Sequence, residues 1–153
     1  MEIERKFLIS RECLPENAET YPCLEIEQGY LCTDPVVRIR RQNDEYYLTY
    51  KSKGLLSREE YNLPLTKEAY LHLKLKTDGI VISKTRYLIP EKDGLTIELD
   101  VFHGVYQGLL LAEVEFPTEE AAYAYTPPSW FGEDVTCSPL YHNSTLSRGT
   151  GIS

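Results

Sequence analysis

The sequence predicts an α+β fold that is mainly antiparallel β: an eight-stranded closed β-barrel with a few short peripheral helices. Three observations support this. Polar and apolar residues alternate with period 2 in eight separate runs, the mark of strands whose two faces meet different surroundings. Turn-forming residues separate the runs, and links this short join antiparallel neighbours. In most runs the polar face is charged while the other face is apolar. The apolar faces then pack on a core outside the sheet, and the charged faces point elsewhere, together. A sheet of about eight strands that closes on itself offers them one lumen.

The strands are expected near residues 1–9, 25–32, 36–42, 45–53, 58–64, 79–90, 94–104 and 110–117. Asn43 with Asp44, Gly54, Asp78 with Gly79, and Asp93 with Gly94 fall between runs, where positive φ or a tight turn is needed. Thr118 caps a helix over 119–126, with Glu119 and Glu120 in its first turn and Pro127 and Pro128 ending it. Thr66 caps another over 67–77, although Leu71 to Lys76 also alternates like a strand. A short helix is expected around 139–147. Residues 1–148 read as one domain and 149–153 as a tail that frays, with no linker, low-complexity stretch or clear repeat.

At 153 residues and 17.6 kDa the chain suits one domain of ordinary size. Its 42% hydrophobic and 26% charged residues suffice for a packed core and argue against disorder. Sixteen Lys and Arg stand against twenty-four Asp and Glu, a net charge of −8. A duplex-binding protein normally carries a basic face that dominates the total, so no nucleic-acid partner is expected. Apolar runs such as Leu109 to Ala112 are far too short to cross a bilayer. The opening Met1-Glu2-Ile3-Glu4 lacks the layout of a signal peptide. The expectation is a cytoplasmic monomer or homodimer without a membrane partner. Cys13, Cys23, Cys32 and Cys137 share no C-x-x-C spacing and are expected to be reduced and unpaired. His72, His103 and His142 are scattered and support neither a His-based metal site nor a nucleophile–His pair.

The charged faces carry the chemistry. Glu2, Glu4 and Lys6 share one face of the first strand, while Ile3, Arg5 and Phe7 occupy the other. Arg38 and Arg40 flank Ile39, and Lys51 and Lys53 share a face of the next strand. Arg58 and Glu60 follow, then Lys84 and Arg86, then Glu98 and Asp100, then Glu113 and Glu115. Eight cations and seven acids would then line the lumen, a net charge of +1, leaving −9 for the rest of the chain. The basic residues are hidden inside an acidic protein.

Such crowding is unfavourable. Two like charges about 6 Å apart at an effective dielectric near 20 repel by roughly 3 kcal/mol. A cluster of this kind persists when a polyanion and metal ions complete it. Arg offers bidentate contacts and Lys a compact charge, which together suit a chain of phosphates. The acid pairs offer hard oxygen ligands at i, i+2 spacing, which suit Mg²⁺ or Mn²⁺. Calcium is disfavoured, because no EF-hand loop is present.

The opening Glu2-Ile3-Glu4-Arg5-Lys6 matches an E-x-E-x-K signature. Gln28-Gly29-Tyr30-Leu31, Arg38-Ile39-Arg40, Lys51-x-Lys53, Arg58-x-Glu60 and Lys84-x-Arg86 follow. Glu98-Leu99-Asp100-Val101-Phe102, Glu113-Val114-Glu115-Phe116 and Tyr141-x-Asn143-x-x-Leu146 come after them. In that order, across most of the chain, the sequence resembles the CYTH domain, or triphosphate tunnel metalloenzyme, superfamily. The resemblance implies an eight-stranded antiparallel tunnel and divalent-metal-dependent attack on triphosphate-containing substrates. By position it implies that Lys6, Arg38, Arg40, Lys51, Lys53 and Arg86 grip the phosphates. Glu2, Glu4, Glu113 and Glu115 would hold metal, with Glu98 and Asp100 as further ligands or supports, and Glu4 thereby takes part in catalysis. Arg58 and Glu60 would form supporting ion pairs. Lys84, amid cations and partial burial, is either a base or another phosphate contact, and Tyr30 is placed to hydrogen-bond and orient it.

The function expected is hydrolysis of a phosphoanhydride, with inorganic tripolyphosphate as substrate, because the recognisable residues all serve phosphates and metals and no base-reading motif is present. The alternatives are an adenylate cyclase of the class IV type, a nucleoside or thiamine triphosphatase, and a non-catalytic polyphosphate-binding module. The last requires loss of the metal acids, and none is lost in this chain.

Overall fold

The computed structural model describes residues 3–52 and 59–149. Eight strands are present: β1 (Glu4–Leu8), β2 (Cys23–Thr33), β3 (Val36–Gln42), β4 (Glu45–Lys51), β5 (Glu60–Pro64), β6 (Asp78–Pro90), β7 (Thr96–Phe102) and β8 (Leu110–Glu115). Their order is β1-β8-β7-β6-β2-β3-β4-β5 in one eight-stranded sheet. The ladders β1–β8, β7–β8, β6–β7, β2–β3, β3–β4 and β4–β5 are antiparallel. The strand count and pairing sense are those the alternation predicts. The order starts at β1 and ends at β5, and among the described residues no ladder joins these two.

The turn chemistry explains the hairpins. Asn43 links β3 to β4 with φ 53°, and Asp93 and Gly94 link β6 to β7 with φ 58° and 73°. Gly54 lies outside the described residues. Asp78 and Gly79, expected between elements, instead form the first two residues of β6, where Gly79 keeps a positive φ of 73°. A Cβ there would lie 2.1 Å from the Ser147 carbonyl oxygen, so only glycine fits.

Among the described residues three short helices accompany the sheet: α1 (Lys67–Lys74), α2 (Glu119–Ala124) and α3 (Asn143–Ser147). Thr66 and Thr118 cap the first two as expected, accepting from the backbone N–H of Ala69 and Ala121. α1 stops three residues short of the expected end, because Leu75 to Thr77 turn the chain into β6. α2 also ends early: Tyr125 is extended, which lets its hydroxyl donate to Glu91 at 2.8 Å. The expected segment 139–147 divides into a 3₁₀ turn (Pro139–Tyr141) and α3, with His142 extended between them. Single 3₁₀ turns at Arg11–Cys13 and Ala18–Thr20, which the alternation does not signal, connect β1 to β2.

The chain forms two compact units, residues 1–24 with 84–138 and residues 25–83 with 139–153. The first has its core on the face opposite the charges: Phe7, Ile97, Leu99, Ala112, Val114 and Phe116 are buried there, covered by Ala122, Tyr125 and Phe131. Phe7 packs on Phe131 with ring centroids 4.8 Å apart. In the second unit α1 lies on β3 and β4. Tyr70 is buried against Tyr46 at 5.1 Å, and Ile39 is buried on the apolar side of β3. In both units the apolar half of the alternation is the half that packs.

Candidate active site

Residues directly opposite across a ladder project from the same side of a sheet. In the first unit the registers Glu4↔Glu115, Lys6↔Glu113, Glu98↔Glu113 and Arg86↔Asp100 therefore place these groups on one face, and Lys84 joins them two residues from Arg86. Lys84 and Asp100 are both 0% exposed, and the Lys84 ammonium donates to Asp100 Oδ2 at 2.7 Å. Arg86 grips the same carboxylate with both edges of its fork, Nε to Oδ1 at 2.8 Å and Nη2 to Oδ2 at 2.9 Å. Its Nη1 donates to Glu98 at 2.8 Å, and its Nη2 lies 3.9 Å from Glu113. Lys6 pairs with Glu113 at 3.3 Å.

Burial raises the Asp100 carboxyl, but Lys84 and Arg86 more than offset this and hold it at about 2. Burial draws the Lys84 ammonium below the ordinary lysine value, with Arg86 acting in the same direction and Asp100 opposing. Glu113 is likewise pushed up by burial and brought below the usual range chiefly by Lys6. Glu98 goes the other way: burial raises it, the Glu113 and Asp100 charges add to this, and Arg86 opposes. Glu4 and Glu115 are exposed at the open end of the β1–β8 ladder. Glu98 and Glu115 both open onto a cleft of about 650 Å³.

The second unit carries a basic face. The registers Gln28↔Arg40, Tyr30↔Arg38 and Arg38↔Thr49 align these groups on one side of β2, β3 and β4. Arg40 donates through Nε and Nη2 to Gln28 Oε1 at 3.0 and 2.7 Å. Arg38 reaches Thr49 Oγ1 at 3.4 Å, and that hydroxyl donates to Asn62 at 2.6 Å. Lys51 lies 4.0 Å from Glu60. Burial raises the Tyr30 phenol above its ordinary value, against the pull of Arg38 and Arg40.

The structure thus brings Lys6, Lys84, Arg86, Glu98, Asp100 and Glu113 into one network. Tyr30, Arg38 and Arg40 form a second group. Lys84 is oriented by its hydrogen bond to Asp100, and Tyr30 lies against Arg38. Glu2, Lys53 and Arg58 lie outside the described residues, and Glu60, expected with Arg58 as a supporting ion pair, lies near Lys51. Thr49 and Asn62 escape a reading built on charge because they are uncharged, and Gln28 enters it only within the Gln28-Gly29-Tyr30-Leu31 segment, without a role. Strand parity was the available signal, since Gln28 sits two residues from Tyr30.

Comparison with known proteins decides the family: a CYTH domain model matches residues 1–134. The chain belongs to the CYTH domain family. An inorganic triphosphatase of Nitrosomonas europaea is 42% identical over 154 residues, covering 95% of this chain and 96% of that one. An inorganic triphosphatase of Acetivibrio thermocellus is 39% identical over 152 residues, covering 96% and 93%. A crystal structure of an inorganic triphosphatase matches with a TM-score of 0.78 at 39% identity, over 99% of this chain and 96% of that one. A putative adenylyl cyclase from Hippeastrum matches with a TM-score of 0.60 at 16% identity, over 80% and 83%, a likeness of fold alone.

The acid face of this CYTH domain suits a divalent cation by charge and donor type. Five carboxylates (Glu4, Glu98, Asp100, Glu113, Glu115) share it with three cations (Lys6, Lys84, Arg86), a net charge of −2. Glu98 and Glu113 face each other directly, an arrangement that like charges disfavour and a cation relieves. The donors are hard oxygens, as Mg²⁺ and Mn²⁺ prefer. Asp100 commits both oxygens to Lys84 and Arg86, and Glu113 pairs with Lys6 and Arg86, so Glu4, Glu98 and Glu115 are the more accessible carboxylates of this face. Among the described residues no three His, Cys, Asp or Glu side chains gather closely enough to hold an ion by themselves. No helix is long and apolar enough to cross a membrane among the described residues.

Proposed function

We propose that this protein is a divalent-metal-dependent phosphohydrolase that cleaves inorganic tripolyphosphate to pyrophosphate and orthophosphate. The observation that carries the reading is the segregation of an acid-rich face on β1, β7 and β8 from a basic face on β3 and β4, both lined by strand parity. Two relatives named inorganic triphosphatase, alike over nearly the whole chain, support it. In this reading Arg38, Arg40, Lys51 and Lys53 hold phosphate oxygens, and Lys6 and Arg86 add to that grip. Glu4, Glu113 and Glu115, with Glu2 and Glu98, hold Mg²⁺ or Mn²⁺, which when bound supplies positive charge to the phosphate oxygens. Asp100 positions Lys84 and Arg86.

Water attacks the terminal phosphorus, the P–O bond to the leaving pyrophosphate breaks, and one water proton is passed on. Lys84, drawn down by burial and held up by Asp100 at 2.7 Å, either takes that proton or adds a cation beside the phosphates. Tyr30, kept protonated by burial, lies beside Arg38. Cationic side chains that are already in place stabilise charge developing on the leaving group. We take residues 1–148 as the catalytic domain and the cytoplasm as its compartment, consistent with the free thiols of Cys13, Cys23, Cys32 and Cys137.

The experiment is phosphate release from tripolyphosphate, ATP and thiamine triphosphate with Mg²⁺ or Mn²⁺, with nucleotide products checked for cyclic AMP. Release fastest from tripolyphosphate is expected. Cyclic AMP from ATP, or no release from any of the three, overturns the reading.

A further inference from the structure

We propose that Gln28 is a substrate-contacting residue of this same site, holding Arg40 with its carbonyl oxygen and donating a hydrogen bond from its amide nitrogen to a phosphate oxygen. The inference rests on the triphosphate reading above. Gln28 is 0% exposed, yet among the described residues its Nε2 has no hydrogen-bond partner. Its Oε1 accepts from both Nε and Nη2 of Arg40. That fork fixes the amide: turned over, it would press an NH₂ group against a guanidinium that has donors and no acceptor. The nitrogen is therefore held away from Arg40 with its protons uncommitted.

A buried donor without a partner destabilises a fold, and such groups mark places where a ligand completes the hydrogen bonding. A second one lies beside it. Arg38 Nε is also buried with no partner among the described residues, and the Tyr30↔Arg38 and Gln28↔Arg40 registers put both residues on the same face of neighbouring strands. Both groups are donors, so their complement has acceptors and no protons to give. Between two guanidinium groups that complement is an oxyanion with several oxygens, which a polyphosphate supplies. A neutral amide adds what arginine does not: a contact set by geometry, which salt screens far less than a charge.

The test uses Gln28→Glu and Gln28→Met. Glutamate keeps an acceptor for Arg40 and turns the free donor into a charged oxygen. Methionine keeps the length and removes both groups. Affinity for tripolyphosphate is measured by calorimetry in chelator, and KM and kcat with metal. Expected are a near wild-type melting temperature for Gln28→Glu with affinity down about a hundredfold, and affinity down about tenfold for Gln28→Met. In both, KM should change more than kcat. The salt dependence of binding by Gln28→Met should match wild type, whereas that of Arg40→Ala should be shallower.

Wild-type affinity in a folded Gln28→Glu overturns the assignment, as does a Gln28→Met variant whose only change is a lower melting temperature. Should Gln28→Glu not fold, Gln28→Met decides by the same affinity criterion. A wild-type protein that neither binds nor cleaves tripolyphosphate overturns the triphosphate reading and this inference with it. A wild type that cleaves it beside Gln28 variants that bind equally well overturns the inference alone.

Discussion

The Lys84 ammonium and the Asp100 carboxylate meet at 2.7 Å with neither residue exposed to solvent. Removing one partner of such a pair strands the other charge in a low dielectric. Asp100→Asn keeps the shape and should destabilise the fold by about 3–5 kcal/mol, read from urea unfolding. An unchanged midpoint would show that the pair does not hold this face together.

Acid should act through the same carboxylate. Asp100 is held at about 2 in the fold, below its ordinary 3.8. Its depressed value contributes about 2 kcal/mol of stability that is fully present above the ordinary value and lost as pH falls through the window from about 4 to 2. Glu98 has the opposite sign, since a raised carboxyl opposes folding once it ionises. Metal-free Glu98→Gln should therefore melt higher than wild type at neutral pH, and calorimetry across pH 2 to 7 checks both expectations. A lower melting temperature for Glu98→Gln at neutral pH would mean that the ionised carboxylate stabilises the fold instead.

Glu4 and Glu115 lie opposite each other and are exposed. Glu4→Gln and Glu115→Gln remove a charged metal donor at nearly constant volume. Each should lower turnover by a factor of about 10–100 or more at limiting metal while leaving the metal-free fold intact. Phosphate release over a metal titration is the measurement. Wild-type curves for both variants would move the metal away from this ladder.

Tripolyphosphate should raise the melting temperature in chelator, because the basic face exists only in the folded chain. At about a hundred times its dissociation constant a ligand adds close to 2.7 kcal/mol, several degrees for a domain of this length. The shift should shrink in high salt and in Arg40→Ala. No response to millimolar tripolyphosphate removes the basis for a polyphosphate site.

Gly79→Ala combines a positive φ with a Cβ 2.1 Å from the Ser147 carbonyl oxygen. The strain of the left-handed backbone alone is about 1–2 kcal/mol, and the contact adds to it. A loss of at least about 2 kcal/mol is expected in thermal unfolding. A neutral effect would mean that α3 does not rest against the start of β6 in solution.

Strand parity made most of the sheet legible, because one half of each alternation packs and the other carries charge. Ile39 buried between Arg38 and Arg40, and Leu99 buried between Glu98 and Asp100, are the plainest cases. The segment 67–77 was ambiguous for a physical reason. Leu71 and Leu75 are exposed, so the Thr66 cap and the single buried Tyr70 define α1, rather than a broad apolar stripe. The β1–β8 pairing is set by contacts between segments far apart in the sequence, which no local pattern encodes. For the same reason Asp100 could be placed on the charged face but not given its partners: Lys84 and Arg86 reach it across the β6–β7 ladder. Gln28 carries no charge, and a reading built on charges passes over it.

Arg86 has three carboxylates within reach, from Glu98, Asp100 and Glu113. An arginine so occupied already has its strong contacts made, so an anion that takes it over must offset the loss of a bidentate carboxylate. A chain of phosphates held elsewhere along its length does not need to displace all three; it needs only to share the guanidinium. In the triphosphate reading the internal acids would thereby set a threshold of charge, favouring a ligand that carries several at once over one that carries a single charge.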